Sequence, residues 1–396
     1  MKAIIREKIA QTKGILDELG IDLWLTLARE SAMLPDPAME LIAGTNVTWQ
    51  SAFLIPRQGE TLAIVGSLDK PNMEAQEVFD RVEGYVEGIS APLAQAIGKI
   101  DPTRIAINSS KDVDIADGLS HGMYLNLLDY LAGTPYGARL ESSAPILARL
   151  RGRKTDSELT LMRKAVTITL EIFGEVAQFL RPGLTEKEVA DFMSARVAEA
   201  GLAPAWDPAH CPAVFSGPDT AGAHAEPTER RVAAGHVLNI DFGVKIDGYC
   251  SDLQRTFYIC HPGEERAPEP VVRGFKTIIE SIDRALEILR PGVQGWQVDA
   301  AARDHITAAG YPEYPHALGH QIGRQAHDGS GLLCPRWERY GSRATEEVEA
   351  TQVYTIEPRL PIDGYGIATV EEMVVVRNDG VELLSPRQTE VILVRN

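Results

Sequence analysis

The sequence predicts an α+β protein in which a smaller α/β domain precedes a larger domain built from two related halves. Over residues 1–150, short apolar runs alternate with helical stretches, which is typical of a small α/β domain. After a basic junction, Thr155-Asp156-Ser157-Glu158 has the spacing of a helix capping box. A second domain is therefore expected over residues 154–396, and motifs within it recur at a constant offset.

The first domain is expected to contain strands at Leu23–Leu27, Ala52–Ile55, Leu62–Val65 and Ile105–Ile107, because each is a short run of apolar, often β-branched residues. Its polar residues form no spacing that predicts chemistry. Function must be argued from the chemistry of a site, so this domain is interpreted as a packing or oligomerisation domain.

The larger domain contains an internal repeat. Leu180-Arg181-Pro182-Gly183 recurs as Leu289-Arg290-Pro291-Gly292, and Ala200-Gly201 recurs as Ala309-Gly310, both at an offset of 109 residues. Each copy gives a helix with a Pro-Gly stop, then a second helix with an Ala-Gly stop. The constant offset predicts two halves of similar structure.

Composition excludes several classes of protein. The 396 residues include 39 Lys and Arg against 56 Asp and Glu, a net charge of −17, with no basic cluster of the kind that binds nucleic acid. No apolar stretch reaches the roughly 18 residues of a transmembrane helix. Four cysteines without CxxC spacing are too few for a disulfide scaffold, so we expect a cytoplasmic protein with reduced thiols.

A hairpin in the first half brings two aspartates together. Strand-like segments flank Asp247-Gly248, a strong signal for a two-residue turn. With that turn, Gly243 lies opposite Asp252, and Asp241 points to the same face as Gly243 because side chains alternate along a strand. Like charges so placed destabilise a sheet, so a bound cation is one reading and two solvated aspartates are the other.

The second half adds histidines and glutamates. His316 and His320 form an HxxxH pattern, and His327 follows within the same short segment. An apolar strand leads into Glu357-Pro358, where the proline is expected to end or bulge the strand. A further apolar segment surrounds Glu371-Glu372.

In chain order, Asp241, Asp252, His320, Glu357 and Glu371 resemble the five metal ligands of the pita-bread metallopeptidases, the family of methionine aminopeptidase, aminopeptidase P and prolidase. The likeness extends from residue 154 to the C-terminus, and the family's internal two-fold would account for the repeat. A preceding creatinase-N-like domain over residues 1–150 resembles the prolidase and aminopeptidase P branch. The matching segments are Leu238–Gly243, Ser251–Phe257, His316–Gly323, Thr355–Pro358 and Val370–Val374.

The resemblance implies a dinuclear metal site. Asp241 and Asp252 would hold one ion, His320 and Glu357 the other, and Asp252 and Glu371 would bridge them. Four carboxylates and one imidazole form an oxygen-rich set that suits Mn²⁺, with Co²⁺, Fe²⁺ or Zn²⁺ as alternatives. Glu357 would also act as general acid and base.

Three further histidines match family positions outside the ligand set. His224 resembles the proton-shuttling histidine of the family, and His316 and His327 resemble those that contact substrate or the developing oxyanion. A structural role stays open for each of them, because spacing alone does not show a role.

The sequence departs from the family at one position. Aminopeptidase P and many prolidases have an arginine two residues before the last glutamate ligand, where this chain has Thr369. The carboxylate of a dipeptide needs a cation or donor when it leaves water. Arg324 and Arg359 are the candidates, and Tyr365 is a neutral alternative. The segment after His327 is either a lid or a variable surface loop.

The resemblance therefore implies a metallopeptidase that cleaves the bond before proline in small peptides, with a dipeptidase (prolidase) as the first expectation. An aminopeptidase P that acts on longer peptides is the first alternative. A non-catalytic binding protein with the same fold is the alternative from a different class. By resemblance, a homodimer is also expected.

Overall fold

The computed structural model describes residues 1–220 and 226–395. The chain divides into two compact units, Met1–Arg151 and Gly152–Asn396. Within the described residues, none of the helices combines the length and apolar character that crossing a membrane requires. All four cysteines are buried and free.

The first unit contains a six-stranded mixed sheet in the order β4-β3-β2-β1-β5-β6. The antiparallel pairs β1–β2 and β2–β3 lie at its centre, and the other neighbours are parallel. The four strands expected from the sequence are confirmed as β1, β2, β3 and β5; the short, more exposed strands β4 and β6 were not foreseen. The strands are β1 Leu23–Ala28, β2 Ser51–Pro56, β3 Leu62–Gly66, β4 Arg81–Tyr85, β5 Ile105–Ile107 and β6 Leu140–Ser142.

Apolar side chains cover both faces of this sheet. Along β1, Trp24 contributes to one core cluster, whereas Leu23 and Leu25 contribute to the other. Strands buried on both faces read as nearly continuous apolar runs, which is why they were recognisable. The surrounding helices are α1 Lys2–Leu19, α2 Met39–Ile42, α3 Lys70–Glu74, α4 Ser90–Ile100, α5 His121–Tyr130 and α6 Ala144–Gly152.

The second unit confirms the 109-residue repeat. The α-helices of its described residues are α7 Asp156–Phe179, α8 Glu186–Glu199, α9 Glu269–Ile288 and α10 Gly295–Ala308. The last residues of α7 and α9 are separated by the predicted offset of 109 residues. The first residues of α8 and α10 are separated by the same offset, and so are their last residues. Gly183 and Gly292 each adopt a positive φ, 93° and 85°, at the stops between the paired helices. The capping box at Thr155 and Glu158 is also confirmed.

Each helix pair is followed by strands that form the sheets around the centre of the unit. The central sheet has the order β20-β12-β9-β8, and β15-β18-β19 forms a second one. The first half contains β7 Ala203–Pro204, β8 Ala213–Ser216, β9 Val237–Phe242, β10 Val244–Ile246, β11 Tyr249–Cys250 and β12 Leu253–Ile259. The second half contains β13 Gly319–His320, β14 Leu332–Leu333, β15 Val353–Ile356, β16 Arg359–Ile362, β17 Gly366–Thr369, β18 Glu372–Arg377, β19 Gly380–Leu383 and β20 Ile392–Val394.

The similarity of the two halves and the α/β character of the first unit confirm the predicted fold class.

Candidate metal centre

The hairpin that carries the two aspartates has the predicted register. Asp247 and Gly248 both adopt positive φ, 47° and 83°, as a tight hairpin turn requires. Lys245 pairs with Cys250 close to the turn, and Phe242 pairs with Leu253 farther along the same two chain segments. Asp241 and Asp252 therefore lie diagonally across the two strands, as expected.

Gly243 lies between the two aspartates and is required by close backbone contact. A Cβ atom added at Gly243 would lie 1.8 Å from Ser251 O, so any other residue would push the strands apart. The two strand segments that carry Asp241 and Asp252 can approach each other because this position has no side chain.

The glutamates approach from a second ladder. β15 pairs with β18 so that Ile356 faces Glu372, and the next step of this register sets Glu357 opposite Glu371. As predicted for Glu357-Pro358, β15 ends at Ile356, and the chain resumes as β16 at Arg359. The Glu357 N–H donates to Leu318 O at 2.7 Å, which ties this end of the strand to the segment before His320.

His320 is held over the same ladder. A Cβ atom at Gly319 would lie 1.9 Å from Thr355 O, so glycine allows β13 to cross close to β15. The His320 N–H donates to Thr355 Oγ1 at 3.2 Å. His320 Nε2 consequently lies 3.4 Å from Glu357 Oε1 and 3.9 Å from Asp252 Oδ2.

The five predicted ligands thus form one acidic cluster. One ligand atom from each of Asp252, His320 and Glu371 lies within 4.8 Å of the others. These three residues are 5%, 8% and 1% exposed. Among the described residues, no hydrogen-bond donor reaches Asp241 Oδ1 or either carboxylate oxygen of Glu371.

The clustering of carboxylates raises their pKa values. Burial raises the pKa of Asp241 to about 7, against a hydrogen bond with Asp252 that lowers it. Burial and then repulsion from Glu371 raise the pKa of Asp252 well above its usual range. Burial and then repulsion from neighbouring carboxylates also raise the pKa values of Glu357 and Glu371.

This site fits a divalent-metal centre. Buried carboxylates are normally paired with a cation or hydrogen-bonded, and here several oxygens converge without a donor. The donor set of carboxylate oxygens and one imidazole matches the preference of hard divalent ions. The opposed glutamates and diagonal aspartates would repel one another unless positive charge lies between them.

The neighbouring Glu372 faces a different environment. Its carboxylate pairs with Arg255 Nη2 at 3.2 Å and accepts hydrogen bonds from Ser385 Oγ and Gln388 N. Side chains alternate along β18, so Glu371 faces the cluster while Glu372 is neutralised on the other side. Sequence spacing alone could not have distinguished the two.

The structure describes two of the three other predicted histidines. The rings of His327 and His320 are 4.2 Å apart in an edge-to-face arrangement, so His327 lies beside the cluster. His316 packs against Tyr314 at 5.1 Å, and its Nδ1 lies 2.7 Å from Ala317 O. His224 lies outside the described residues.

The three candidates for carboxylate recognition lie at separate places. Arg359 pairs directly with Thr369 across the β16–β17 hairpin. Arg324 stacks on the Tyr249 ring at 5.3 Å, near the hairpin turn at Gly248. Tyr365 lies at the opposite end of the β16–β17 hairpin and contacts Tyr258, with ring centroids 6.5 Å apart.

The segment after His327 is anchored to α10. Short 3₁₀ turns at Glu338–Thr345 are interrupted at Gly341, and the Trp337 ring stacks on Tyr340 with centroids 6.0 Å apart. Arg303 of α10 lies 5.1 Å from the Trp337 ring centroid.

Sequence reasoning missed the residues that support the ligands. Gln254 Nε2 donates to Glu357 Oε2 at 2.9 Å, and Thr369 Oγ1 donates to Gln254 Oε1. Arg303 and Asp299 form a buried ion pair on α10 that holds the segment leading to His320. Their i, i+4 spacing was the only sequence signal for that pair.

Comparisons with known proteins identify the family of this chain. The model of metallopeptidase family M24 matches residues 160–378. Uncharacterised peptidases of Staphylococcus aureus are 29% identical over 240 residues, or 60% of this chain. The match spans 64% of the length of those curated relatives.

Solved structures share the whole fold. An Xaa-Pro dipeptidase from Bacillus anthracis superposes with a TM-score of 0.76 at 24% identity, covering 98% of this chain and 99% of that one. An X-Pro aminopeptidase from Thermotoga maritima gives a TM-score of 0.73 at 24% identity with the same coverage. At this identity the structures establish the fold, and the family model covers more than half of the chain, so the chain belongs to metallopeptidase family M24.

Proposed function

We propose that this protein is a dinuclear metal-dependent dipeptidase that cleaves the Xaa-Pro bond. The observation that carries the proposal is the convergence of four carboxylates and His320 in one cluster, in which Asp241 Oδ1 and both carboxylate oxygens of Glu371 have no hydrogen-bond partner among the described residues. The family supports a peptidase, and two of the structural neighbours bear the names of Xaa-Pro enzymes.

The proposed ligands are Asp241, Asp252, His320, Glu357 and Glu371. Bound divalent ions would polarise the scissile carbonyl and lower the pKa of a bound water. Mn²⁺ is the favoured ion, because the donor set is rich in oxygen, although affinity alone would also allow Co²⁺, Fe²⁺ or Zn²⁺.

In this proposal Glu357 moves the proton. Its Oε1 lies 3.4 Å from His320 Nε2, and its Oε2 is engaged by Gln254. Burial raises the pKa of Glu357, and in the proposed role its carboxylate accepts a proton from the attacking water and returns it to the leaving nitrogen. Proline nitrogen needs that proton, because it cannot leave as an anion at neutral pH. His224, His316 and His327 are proposed to assist with proton transfer or to contact the substrate.

Arg359 is the proposed group for the free carboxylate of the dipeptide. It lies directly opposite Thr369, and residues paired across an antiparallel ladder share a face with Cβ atoms about 4.5–5.5 Å apart. The Thr369 hydroxyl points towards Gln254 and Glu357, so Arg359 shares the face next to the cluster.

The environment of Arg359 supports this role. It is partly buried, and within the described part of the chain its guanidinium forms neither a salt bridge nor a hydrogen bond. Burial lowers its pKa, while attraction to Glu357 raises it. A partly dehydrated guanidinium is well suited to bind a carboxylate through two hydrogen bonds. The arginine missing at position 369 would thus be replaced from the neighbouring strand.

The test measures KM for the peptides Met-Pro and Met-Pro-Gly in the variants Arg359→Ala and Arg324→Ala. Loss of a carboxylate partner should raise KM for Met-Pro by about 10- to 100-fold in Arg359→Ala, because a charged hydrogen bond contributes about 1.5–3 kcal/mol. Arg324→Ala should change KM less, because Arg324 stacks on Tyr249. An unchanged KM for Met-Pro in Arg359→Ala would show that Arg359 does not recognise the carboxylate.

The homodimer and the cytoplasmic location stay predictions. Gel filtration with light scattering tests the first, and cell fractionation tests the second.

A further inference from the structure

A directional hydrogen-bond chain ends on Glu357. Thr369 Oγ1 donates to Gln254 Oε1, and Gln254 Nε2 donates to Glu357 Oε2 at 2.9 Å. Thr369 and Gln254 are 2% and 4% exposed, so water does not replace these bonds readily. The chain runs from one side of the cluster to the carboxylate that faces His320.

The chemistry of the groups fixes the direction of the chain. As a metal ligand Glu357 is ionised, and an ionised carboxylate only accepts hydrogen bonds, so the amide of Gln254 presents its NH₂ group to Glu357. The amide oxygen then faces Thr369, whose hydroxyl must donate. A side-chain amide can otherwise turn over and exchange its oxygen and nitrogen. The Glu357 carboxylate therefore selects the orientation in which Gln254 donates to it, and the Thr369 hydroxyl, which can donate or accept, holds that orientation by donating to the amide oxygen.

The backbone holds both residues in place. The Thr369 N–H donates to Thr256 Oγ1 at 3.2 Å, and Asn239 Nδ2 donates to Thr369 O at 2.9 Å. Gln254 lies in β12 opposite Asp241, and its carbonyl accepts from the Glu371 N–H at 3.2 Å. The hydroxyl and the amide thus start from fixed positions in two neighbouring strands.

We infer that Gln254 and Thr369 are positioning residues that hold the Glu357 carboxylate, with Oε2 bound to the amide and Oε1 directed to the His320 side. This inference rests on the proposed function, in which Glu357 is both ligand and proton carrier. Fixing one oxygen leaves the other a single orientation for metal and proton chemistry. It also explains what Thr369 does at a position without an arginine.

The experiment uses Thr369→Val, which removes the hydroxyl while nearly keeping the shape, and Thr369→Ser, which keeps the hydroxyl. Mn²⁺ affinity of metal-stripped protein is measured by titration with electron paramagnetic resonance detection, beside kcat and KM for Met-Pro. Changes in groups that support metal ligands typically cost about 10- to 100-fold in metal affinity or activity.

Thr369→Val should weaken binding of Mn²⁺ about 10-fold and lower kcat about 10-fold, with KM changed less than twofold. Thr369→Ser should keep most of the wild-type affinity for Mn²⁺ and most of the wild-type kcat. Gln254→Glu is a second, independent variant: it replaces the donor by an acceptor beside Glu357, so kcat should fall at least 10-fold. Thermal unfolding confirms that each variant is folded.

Wild-type values for Thr369→Val in both Mn²⁺ affinity and kcat would overturn the inference. Equal losses in Thr369→Val and Thr369→Ser would also overturn it, because the hydroxyl would then not be the cause. If the wild-type protein binds Mn²⁺ but cleaves no peptide, the proposed function fails, and the Mn²⁺ titration still decides whether the pair positions Glu357.

Discussion

Glu371 and Glu372 are neighbours in sequence with opposite environments. Glu371 is 1% exposed in the acidic cluster, and no donor among the described residues reaches its carboxylate. Glu372 is fully buried but forms an ion pair with Arg255 and accepts two further hydrogen bonds. The pair therefore offers a matched comparison between a metal ligand and a structural carboxylate.

Glu371→Gln should reduce bound metal below one ion per chain and abolish metal-dependent activity, because the amide is a weaker ligand without charge. The same change should stabilise the metal-free protein, since it removes repulsion. Glu372→Gln should keep two ions per chain but destabilise the fold by about 3 kcal/mol, because Arg255 loses its buried partner. Elemental analysis and chemical unfolding of both variants provide the measurements. Two ions and full activity in Glu371→Gln would remove it from the ligand set.

At the scale of elements, α10 holds the segment that leads to His320. Arg303 donates to Tyr314 O at 2.6 Å and to His316 O at 2.7 Å, and Asp299 accepts from the Leu318 N–H at 3.0 Å. The Arg303–Asp299 ion pair itself is 2.7 Å long. One helix thus fixes the backbone just before the histidine.

Arg303→Met should destabilise the protein by about 3–5 kcal/mol, because Asp299 is left buried without its partner. The double variant with Asp299→Asn should lose less than the sum of the two single losses, since these residues are in direct contact. Urea unfolding of the four proteins measures this coupling. Strict additivity would show that the ion pair does not act as a unit.

The elements also show how far the sequence could predict the site. The Asp247-Gly248 turn has a specific backbone requirement, so the register that brings Asp241 and Asp252 together could be predicted. The β16–β17 hairpin also turns at an Asp-Gly pair, Asp363-Gly364, with Gly364 at a φ of 78°, but its loop has three residues, so the two-residue register rule does not apply and the pairing of Arg359 with Thr369 was not predicted. The amide of Gln254 was missed for another reason: its partners come from two other strands far along the chain.

At the scale of the whole molecule, the acidic cluster couples stability to pH. A carboxyl group whose pKa is raised in the native state binds more protons there than in the unfolded chain, so stability falls as pH rises. The pKa of Asp241 is raised from its usual value of 3.8 to about 7 in the native state, so its contribution to stability falls between these two pH values. Burial also raises the pKa of Asp36 in the first unit to about 6, with the same sign.

The metal-free protein should therefore lose stability between pH 4 and pH 7 relative to Asp241→Asn, by an amount on the order of a few kcal/mol. Saturating Mn²⁺ should reverse the trend, because ions bind the deprotonated carboxylates and stabilise the native state. Urea unfolding of both proteins across this pH range, with and without Mn²⁺, is the measurement. A constant difference between them at all pH values would show that Asp241 does not titrate in the native cluster.

The proposed metal-dependent dipeptidase activity is tested by measuring metal content and peptide hydrolysis on the same protein. Purified protein is stripped of metal, supplied with Mn²⁺, and assayed on Met-Pro and Met-Pro-Gly while bound ions are counted. The proposed function predicts two ions per chain and metal-dependent cleavage of Met-Pro in preference to Met-Pro-Gly. Preference for the tripeptide would instead indicate an aminopeptidase P, and two bound ions without cleavage of either peptide would contradict the proposed activity.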